Sequence, residues 1–333
     1  MSIFVSIASY RDDSCSNTIH NLFENAKEPT RIFVGICQQN NSIYDKDCLN
    51  FPSYQKYKNN IRIIRIPYYD AKGPVYARYL CACLLENEDY FLQIDSHTVF
   101  IKNWDEICIS MINEIKSLGI SNKPVISYYP KDITQIDNPY DKNNTIPVIK
   151  GVDYTNGVFT LKQAVYTQVN KGSYIKTPYI TGNFFFCKSE FLKEFHFDPT
   201  LDYLFQGEEI LYSIKFYTYG WDAFCPNMNI VYHEYTRSNK PKYWDEPLIK
   251  FDNRKALKKV RFYLFNYDEN NNDPYYHNYK LGKIRTIEDF YRFANIDINN
   301  YKKKTKRITI ITIIAFVLML FALVFYLKYL LIR

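Results

Sequence analysis

Residues 90–97 read YFLQIDSH, and the change of character inside this stretch decides the fold. Tyr90–Ile94 is a short apolar run of the kind that forms a strand buried on both faces, and it ends at once in Asp95-Ser96-His97. Three similar runs precede it: Ile3–Ser9 (IFVSIAS), Arg31–Cys37 (RIFVGIC) and Ile61–Ile66 (IRIIRI). Between the first two, Asp12 and Asp13 can cap a helix through Ile19, Leu22, Phe23 and Ala26, which share one helical face. Gly73-Pro74 opens a second helix through Val75, Tyr79, Leu80, Cys83 and Leu84. This β-α-β-β-α-β order predicts an α/β fold with a mainly parallel central sheet and helices on its faces. Ligands in such sheets bind beyond the carboxyl ends of strands, so Ser9-Tyr10-Arg11 and Asp95-Ser96-His97 should line one crevice.

Further along, Trp104–Leu118 reads as a helix, Pro130–Val148 as a polar loop and Tyr179–Cys187 as a strand. Gly207–Tyr219 reads as a helix that Gly220 can end, and Cys225–Tyr232 leads into His233 and Glu234. From Pro241 to Asn300 the chain is richer in Lys, Tyr and Asn and holds two helical patterns, near Asn253–Leu264 and Thr286–Phe293. These features divide the chain into a principal domain, 1–235, and an extension packed on it, 236–300, followed by a basic flank, 301–307. No internal repeat is present.

Of 333 residues, 47% are apolar, 23% charged and only 10 are Gly, which excludes disorder and linker proteins. The net charge of +7 is local: seven of the 42 Lys and Arg lie beyond position 301, and the other 35 balance the 35 Asp and Glu. A neutral body removes the main support for nucleic-acid binding. Ile308–Leu327 is an uncharged run of 20 residues, long enough as a helix to cross about 30 Å of hydrocarbon. Five Lys and Arg precede it and two follow, so the positive-inside rule predicts a single-pass, C-terminally anchored membrane protein with its body facing the cytosol. The eight Cys fit a reducing compartment, most of them packing as small hydrophobes.

Asp95-Ser96-His97 places a carboxylate and an imidazole two residues apart just past a strand, where both point the same way and can bind one divalent ion. Such mixed ligands suit Mn²⁺, with Mg²⁺ and Zn²⁺ as competitors. On these three residues alone, a solvated strand end followed by a turn is the competing reading.

The wider sequence resembles the GT-A glycosyltransferases, above all the N-acetylglucosaminyltransferases that modify hydroxyproline in cytoplasmic polypeptides. The resemblance rests on ordered stretches: IFVSIASYRDDSCSNTI, RIFVGICQQ, GPVYARY, YFLQIDSHTVFIKNWD, FQGEE, GWDAFCP, HEYTR and KLGKIRTIEDFYRF, spanning residues 1 to about 298. It implies that Asp95, His97 and the distant His233 hold the metal, with Ser96 in the same motif. It implies that Glu208 and Glu209 face the acceptor from the head of a helix. Ser9, Tyr10 and Arg11 would cradle uridine, Arg78 would face the diphosphate, and Gly182-Asn183 would let the sugar approach the backbone. Trp104-Asp105 and Trp221-Asp222 read as packing anchors.

The resemblance thus implies a metal-dependent retaining transfer of N-acetylglucosamine from UDP-N-acetylglucosamine (UDP-GlcNAc) to a polypeptide or glycan hydroxyl, with Mn²⁺ or Mg²⁺ as cofactor. A His in the second metal position makes binding depend on a neutral imidazole, so activity should fall below roughly pH 6. A sugar nucleotidyltransferase normally carries a Gly-rich loop after the first strand, and SYRDD has no Gly. A catalytically inactive membrane adaptor would have no need of the acidic and metal-like residues.

Overall fold

The computed structural model describes residues 1–136, 145–170, 172–237, 240–299, 301 and 319. Its centre is an eight-stranded mixed sheet. In chain order the strands are β1 (Ile3–Tyr10), β2 (Ile32–Asn40), β3 (Ile61–Pro67), β4 (Tyr90–Asp95), β5 (Thr98–Phe100), β6 (Pro124–Ser127), β7 (Lys131–Asp132), β8 (Thr145–Val148), β9 (Val152–Thr155), β10 (Val158–Leu161), β11 (Val165–Gln168), β12 (Ile175–Thr177), β13 (Phe184–Lys188), β14 (Asp222–Cys225) and β15 (Val231–His233). The large sheet runs β12-β14-β6-β13-β4-β1-β2-β3. β3, β2, β1 and β4 are parallel, as the sequence predicts. β13 runs against both β4 and β6, and β12 against β14, which makes the sheet mixed.

Both faces of this sheet are covered, which is why its strands read as unbroken apolar runs. Along β1, Ile3, Val5 and Ile7 enter one core with helices α1 (Cys15–Asn25) and, by way of Trp104, Ile112 and Ile115, the long helix after β5. Phe4 points the other way, into a second core with Val75, Phe91 and Phe185. The same alternation buries all of Phe184-Phe185-Phe186, with the outer two rings on one face and the middle ring on the other. The second core also takes the apolar faces of α2 (Pro74–Ala82), α4 (Glu208–Thr218), α5 (Arg254–Phe265) and α6 (Ile287–Phe293), where α3 is Trp104–Ser117.

Three expectations change. Pro130–Val148 is not all loop: β7 and β8 lie within it, and β8 pairs with β11. The strand expected over Tyr179–Cys187 occupies Phe184–Lys188, because Thr181 turns to bond Ser127 and the Tyr128 carbonyl before the chain enters the sheet. The cysteines are not all free, since Cys15 and Cys48 form a disulfide. β1 and β2 are adjacent and parallel, so the segments leaving them share one edge, and the two Cα atoms stand 5.1 Å apart.

The membrane anchor is also corrected. Among the described residues no helix is long and apolar enough to cross a membrane, so a single-pass C-terminal anchor with a cytosol-facing body is not supported. The run Ile308–Leu327 that suggested it lies, Met319 apart, outside the described residues, as does the flank 302–307.

Candidate active site

The carboxyl ends of β1 and β4 lie side by side, with Ala8 opposite Asp95. Just past β4 the chain turns back as β5, which pairs with β15 in a small separate sheet with His233 opposite Thr98. That pairing brings a histidine 138 positions away onto the Asp-Ser-His turn. His233 Nε2 stands 3.0 Å from Asp95 Oδ2, and the His97 and His233 rings meet edge to face at 4.6 Å. One ligand atom from each of Asp95, His97 and His233 can be chosen so that all lie within 4.8 Å of one another.

The surroundings prepare these groups for a cation. His97 Nδ1 lies 2.8 Å from Asp12 Oδ2, which leaves Nε2 as the nitrogen available for coordination. His233 Nδ1 is buried and, among the described residues, has no hydrogen-bond partner. Burial alone would raise the Asp95 pKa, but the hydrogen bond with His233 and the Arg78 charge overcome it and hold the carboxyl well below the usual range. An anionic carboxylate with two imidazoles is a donor set that fits Mn²⁺, Mg²⁺ or Zn²⁺.

Arg78, projected from α2, links this cluster to the head of α4. Its Nη2 donates to Asp95 Oδ1 at 3.1 Å and its Nη1 to Glu208 Oε1 at 2.5 Å. Burial works against the Arg78 cation, but the charges of Glu208 and Asp95 outweigh it and raise its pKa further. Burial likewise pushes the Glu208 carboxyl up to about 7, despite Arg78. The two glutamates then differ sharply. Glu209 is engaged at both oxygens, accepting from the Gly182 amide at 2.8 Å and from the Tyr129 hydroxyl at 2.7 Å. Glu208 Oε2 is buried without a partner among the described residues. Gly182 lies close against this pair: a Cβ there would stand 3.0 Å from both Arg78 Nη1 and Glu208 Oε1 and would press on their ion pair.

Two adjoining cavities meet at Arg78, Asp95, Phe205, His233 and Tyr235. One, of about 260 Å³, is walled by Tyr10, Gln39, Gly73, Arg237, Tyr243 and Trp244. The other, of about 400 Å³, is walled by Tyr129, Gly182, Asn183, Gln206, Glu208 and Glu209. Tyr10, Arg78, Ser96, Gly182 and Asn183 therefore share the crevice with the metal-like cluster. Ser9 and Arg11 line neither cavity. Ser9 is fully buried, and Arg11, with a left-handed backbone (φ 46°), pairs with Asp45 at 3.0 Å and Glu246 at 3.2 Å.

This geometry has the family to match. A family model described as Glycosyltransferase (GlcNAc) matches residues 2–59 and 52–300. The chain belongs to this glycosyltransferase family. Its fold is that of GalNAc-T7, solved with UDP, GalNAc and Mn²⁺, at a TM-score of 0.55 and 16% identity, over 88% of this chain. The chain spans only 55% of the length of that structure. The S. aureus TarS fragment 1–349 with UDP-GlcNAc aligns at a TM-score of 0.47 and 12% identity, over 78% of this chain and 70% of its own. No curated protein matches the sequence.

Sequence reasoning passed over the residues that orient this glycosyltransferase's crevice. Asp12 does not cap α1, whose N-cap is Ser14. Its Oδ2 instead accepts from Ser96 Oγ at 2.6 Å, meets His97, and pairs with Arg237 at 3.2 Å. Burial would raise the Asp12 pKa, yet its bond with His97 and the nearby cations hold it low. Arg237 stood within HEYTR, so its place in a matching stretch was the available signal. Gln39 carries the same mark, as the last residue of RIFVGICQQ, whereas Tyr129 carries none.

Proposed function

We propose that this glycosyltransferase moves N-acetylglucosamine from UDP-GlcNAc to a hydroxyl of a polypeptide or glycan, with retention at the anomeric carbon. The observation that carries the reading is the convergence of Asp95, His97 and His233 beside Arg78, where the two cavities meet. The UDP, GalNAc and Mn²⁺ of GalNAc-T7 support a nucleotide-sugar donor and a metal.

The cavity beside Tyr10 and Gln39 takes the nucleotide, with Ser9 and Arg11 shaping the turn beneath it rather than touching it. Asp95, His97 and His233 would hold Mn²⁺ or Mg²⁺, which supplies positive charge against the departing diphosphate. Arg78 presents a fixed guanidinium to the same anion, its orientation set by Asp95 and Glu208. The Gly182 backbone leaves room for the sugar against Asn183. The unpartnered Glu208 oxygen accepts a hydrogen bond from the incoming hydroxyl and aims it at the anomeric carbon. Glu209 holds Gly182 and Tyr129 in place. Burial, together with the Glu209 charge, pushes the Tyr129 phenol far up in pKa, so it remains a donor.

Full-length protein with UDP-GlcNAc and Mn²⁺ should release UDP, and Asp95→Ala should abolish the metal-dependent part while its near-ultraviolet circular dichroism stays native. Normal turnover by that variant would contradict the metal assignment.

A further inference from the structure

Three groups converge on one oxygen of Asp12. Ser96 Oγ donates to Oδ2 at 2.6 Å, His97 Nδ1 lies 2.8 Å from it, and Arg237 Nη2 pairs with it at 3.2 Å. The other oxygen accepts from the Ser14 amide at 3.1 Å. Asp12 is 1% exposed, which shields these contacts from solvent. Arginine can only donate, so Oδ2 is an acceptor and the hydrogen between it and His97 sits on Nδ1. The lone pair of the ring is thereby assigned to Nε2. From α1, Thr18 Oγ1 donates to the Ser96 carbonyl at 2.9 Å and accepts from the Thr98 amide at 3.0 Å, which fixes the backbone on both sides of His97. His233 has no such support, since its Nδ1 is buried without a partner among the described residues.

The third of these groups belongs to a different wall. Arg237 lies just past β15 and lines the 260 Å³ cavity with Tyr10, Gln39 and Tyr243. Its Nε is buried and, among the described residues, has no hydrogen-bond partner, so it keeps a donor for a ligand. One carboxylate oxygen thus holds an imidazole of the metal-like cluster and a guanidinium of the nucleotide cavity.

We propose that Asp12 is a positioning residue through which cation and nucleotide binding are coupled. The proposal rests on the metal and nucleotide reading above and deepens it. Asp12 touches neither ligand. It keeps the Nε2 lone pair of His97 for the cation, and it holds Arg237 in the cavity wall. Losing its carboxylate therefore weakens two separate binding events at once. Asn in its place is nearly isosteric but offers an amide N–H as well as a carbonyl. That N–H can meet an unprotonated Nδ1 and leave the hydrogen on Nε2, where it blocks coordination. The neutral amide also gives up the ion pair with Arg237.

The test uses the full chain and three readouts. Mn²⁺ alone, followed by the electron paramagnetic resonance of the free ion, should bind Asp12→Asn about 10–100-fold more weakly than the wild type. UDP with excess chelator, followed by calorimetry, should bind it about tenfold more weakly, as expected when a charge-assisted hydrogen bond is misplaced. With ¹⁵N-labelled histidine at about pH 8, the His97 signals, assigned by their loss in His97→Gln, should report the Nδ1–H tautomer in the wild type and Nε2–H in Asp12→Asn. Arg237→Gln should weaken UDP and leave Mn²⁺ unchanged, which separates the two arms. Asp13→Asn, an exposed neighbour on the same turn, should leave all three readouts as in the wild type. Unaltered Mn²⁺ affinity in Asp12→Asn, or weakened affinity with the tautomer unaltered, overturns the proposal. Weakened Mn²⁺ binding with metal-free UDP affinity retained overturns it as well. Should Asp12→Asn lose its near-ultraviolet circular dichroism, the wild-type tautomer decides: Nε2–H overturns the proposal, and Nδ1–H with the Arg237→Gln split upholds it. A wild type that shows Nδ1–H yet binds no Mn²⁺ sinks the metal reading, and the coupling with it.

Discussion

At the scale of single residues, adjacent glutamates are set to different tasks by what their oxygens touch. Glu208→Gln replaces the carboxylate whose Oε2 no described residue engages, so transfer should fall by about 10²-fold or more, with little change in UDP affinity measured by calorimetry. Glu209→Gln keeps an acceptor for Gly182 but loses the one for Tyr129, so it should cost stability first and activity second. Glu208 also predicts a pH effect. Its carboxyl, raised to about 7 in the fold, binds a proton that the unfolded chain releases near 4.5, so its contribution to stability is complete below about 4.5 and lost as pH rises to about 7. Thermal midpoints of Glu208→Gln and wild type should therefore converge or cross over that window and run parallel above it. A constant difference from pH 4 to 8 would reject the assignment. The metal-like residues were legible because the matching stretches occur in order along the chain, the Asp-x-His triplet alone leaving a solvated strand end open. Asp12 was not, because an aspartate before a helix is commonest as a cap, and only the folded turn shows it bonded to Ser96 and His97 instead.

At the scale of elements, the apolar contact between α4 and α5 encloses an unusual set of buried charges. Lys259 meets Asp198 at 2.5 Å and Thr200 at 2.8 Å, while Lys215 faces the rings of Tyr279 at 5.6 Å and Tyr263 at 6.0 Å. Two cations thus share one carboxylate, and burial lowers the Lys215 pKa to about 8. The sign follows directly: the fold is penalised by a charged Lys215 below about pH 8 and relieved as pH rises toward 10.5, where the unfolded chain also loses the proton. Lys215→Met should raise the thermal midpoint at pH 7 and flatten the gain between pH 8 and 10. A lowered midpoint at pH 7 would show that the charge is needed to balance Asp198. The helices themselves were readable from their spacing to within a residue or two, as with Arg254–Phe265. The small strands β8 to β11 were not, since each is four residues long and too short to show a period. A signal was present for one pair: Asn156-Gly157, both at positive φ, is the turn that joins β9 to β10.

At the scale of the whole molecule, the segment after residue 235 closes the second core as well as extending the chain. Val260, Tyr263, Leu264 and Phe290 are buried in the same cluster as Phe185 and Ile214, so a chain ending at 235 would bare that core to water. The join is closest where residues 281–285 cross the end of α4. The Gly282 amide donates to Thr218 Oγ1 at 3.0 Å, the Ile284 amide to the Thr218 carbonyl at 3.0 Å, and Arg285 reaches the Trp221 carbonyl and Asp222. The bond from Ile284 satisfies the Thr218 carbonyl, which the last turn of α4 leaves open. A Cβ on Gly282 would lie 2.5 Å from the Thr218 carbonyl and the Tyr219 nitrogen, both backbone atoms that cannot swing aside. Gly282→Ala should therefore cost about 1–3 kcal/mol, the usual penalty for overpacking, through the crossing rather than through the crevice. Because α4 carries Glu208 at its other end, the strain should appear as one cooperative transition shifted to lower denaturant, with residual activity at low temperature. Two separate transitions, with the first confined to the tyrosine-rich segment beyond 240, would show instead that the extension folds apart from the sheet and that α4 does not depend on it.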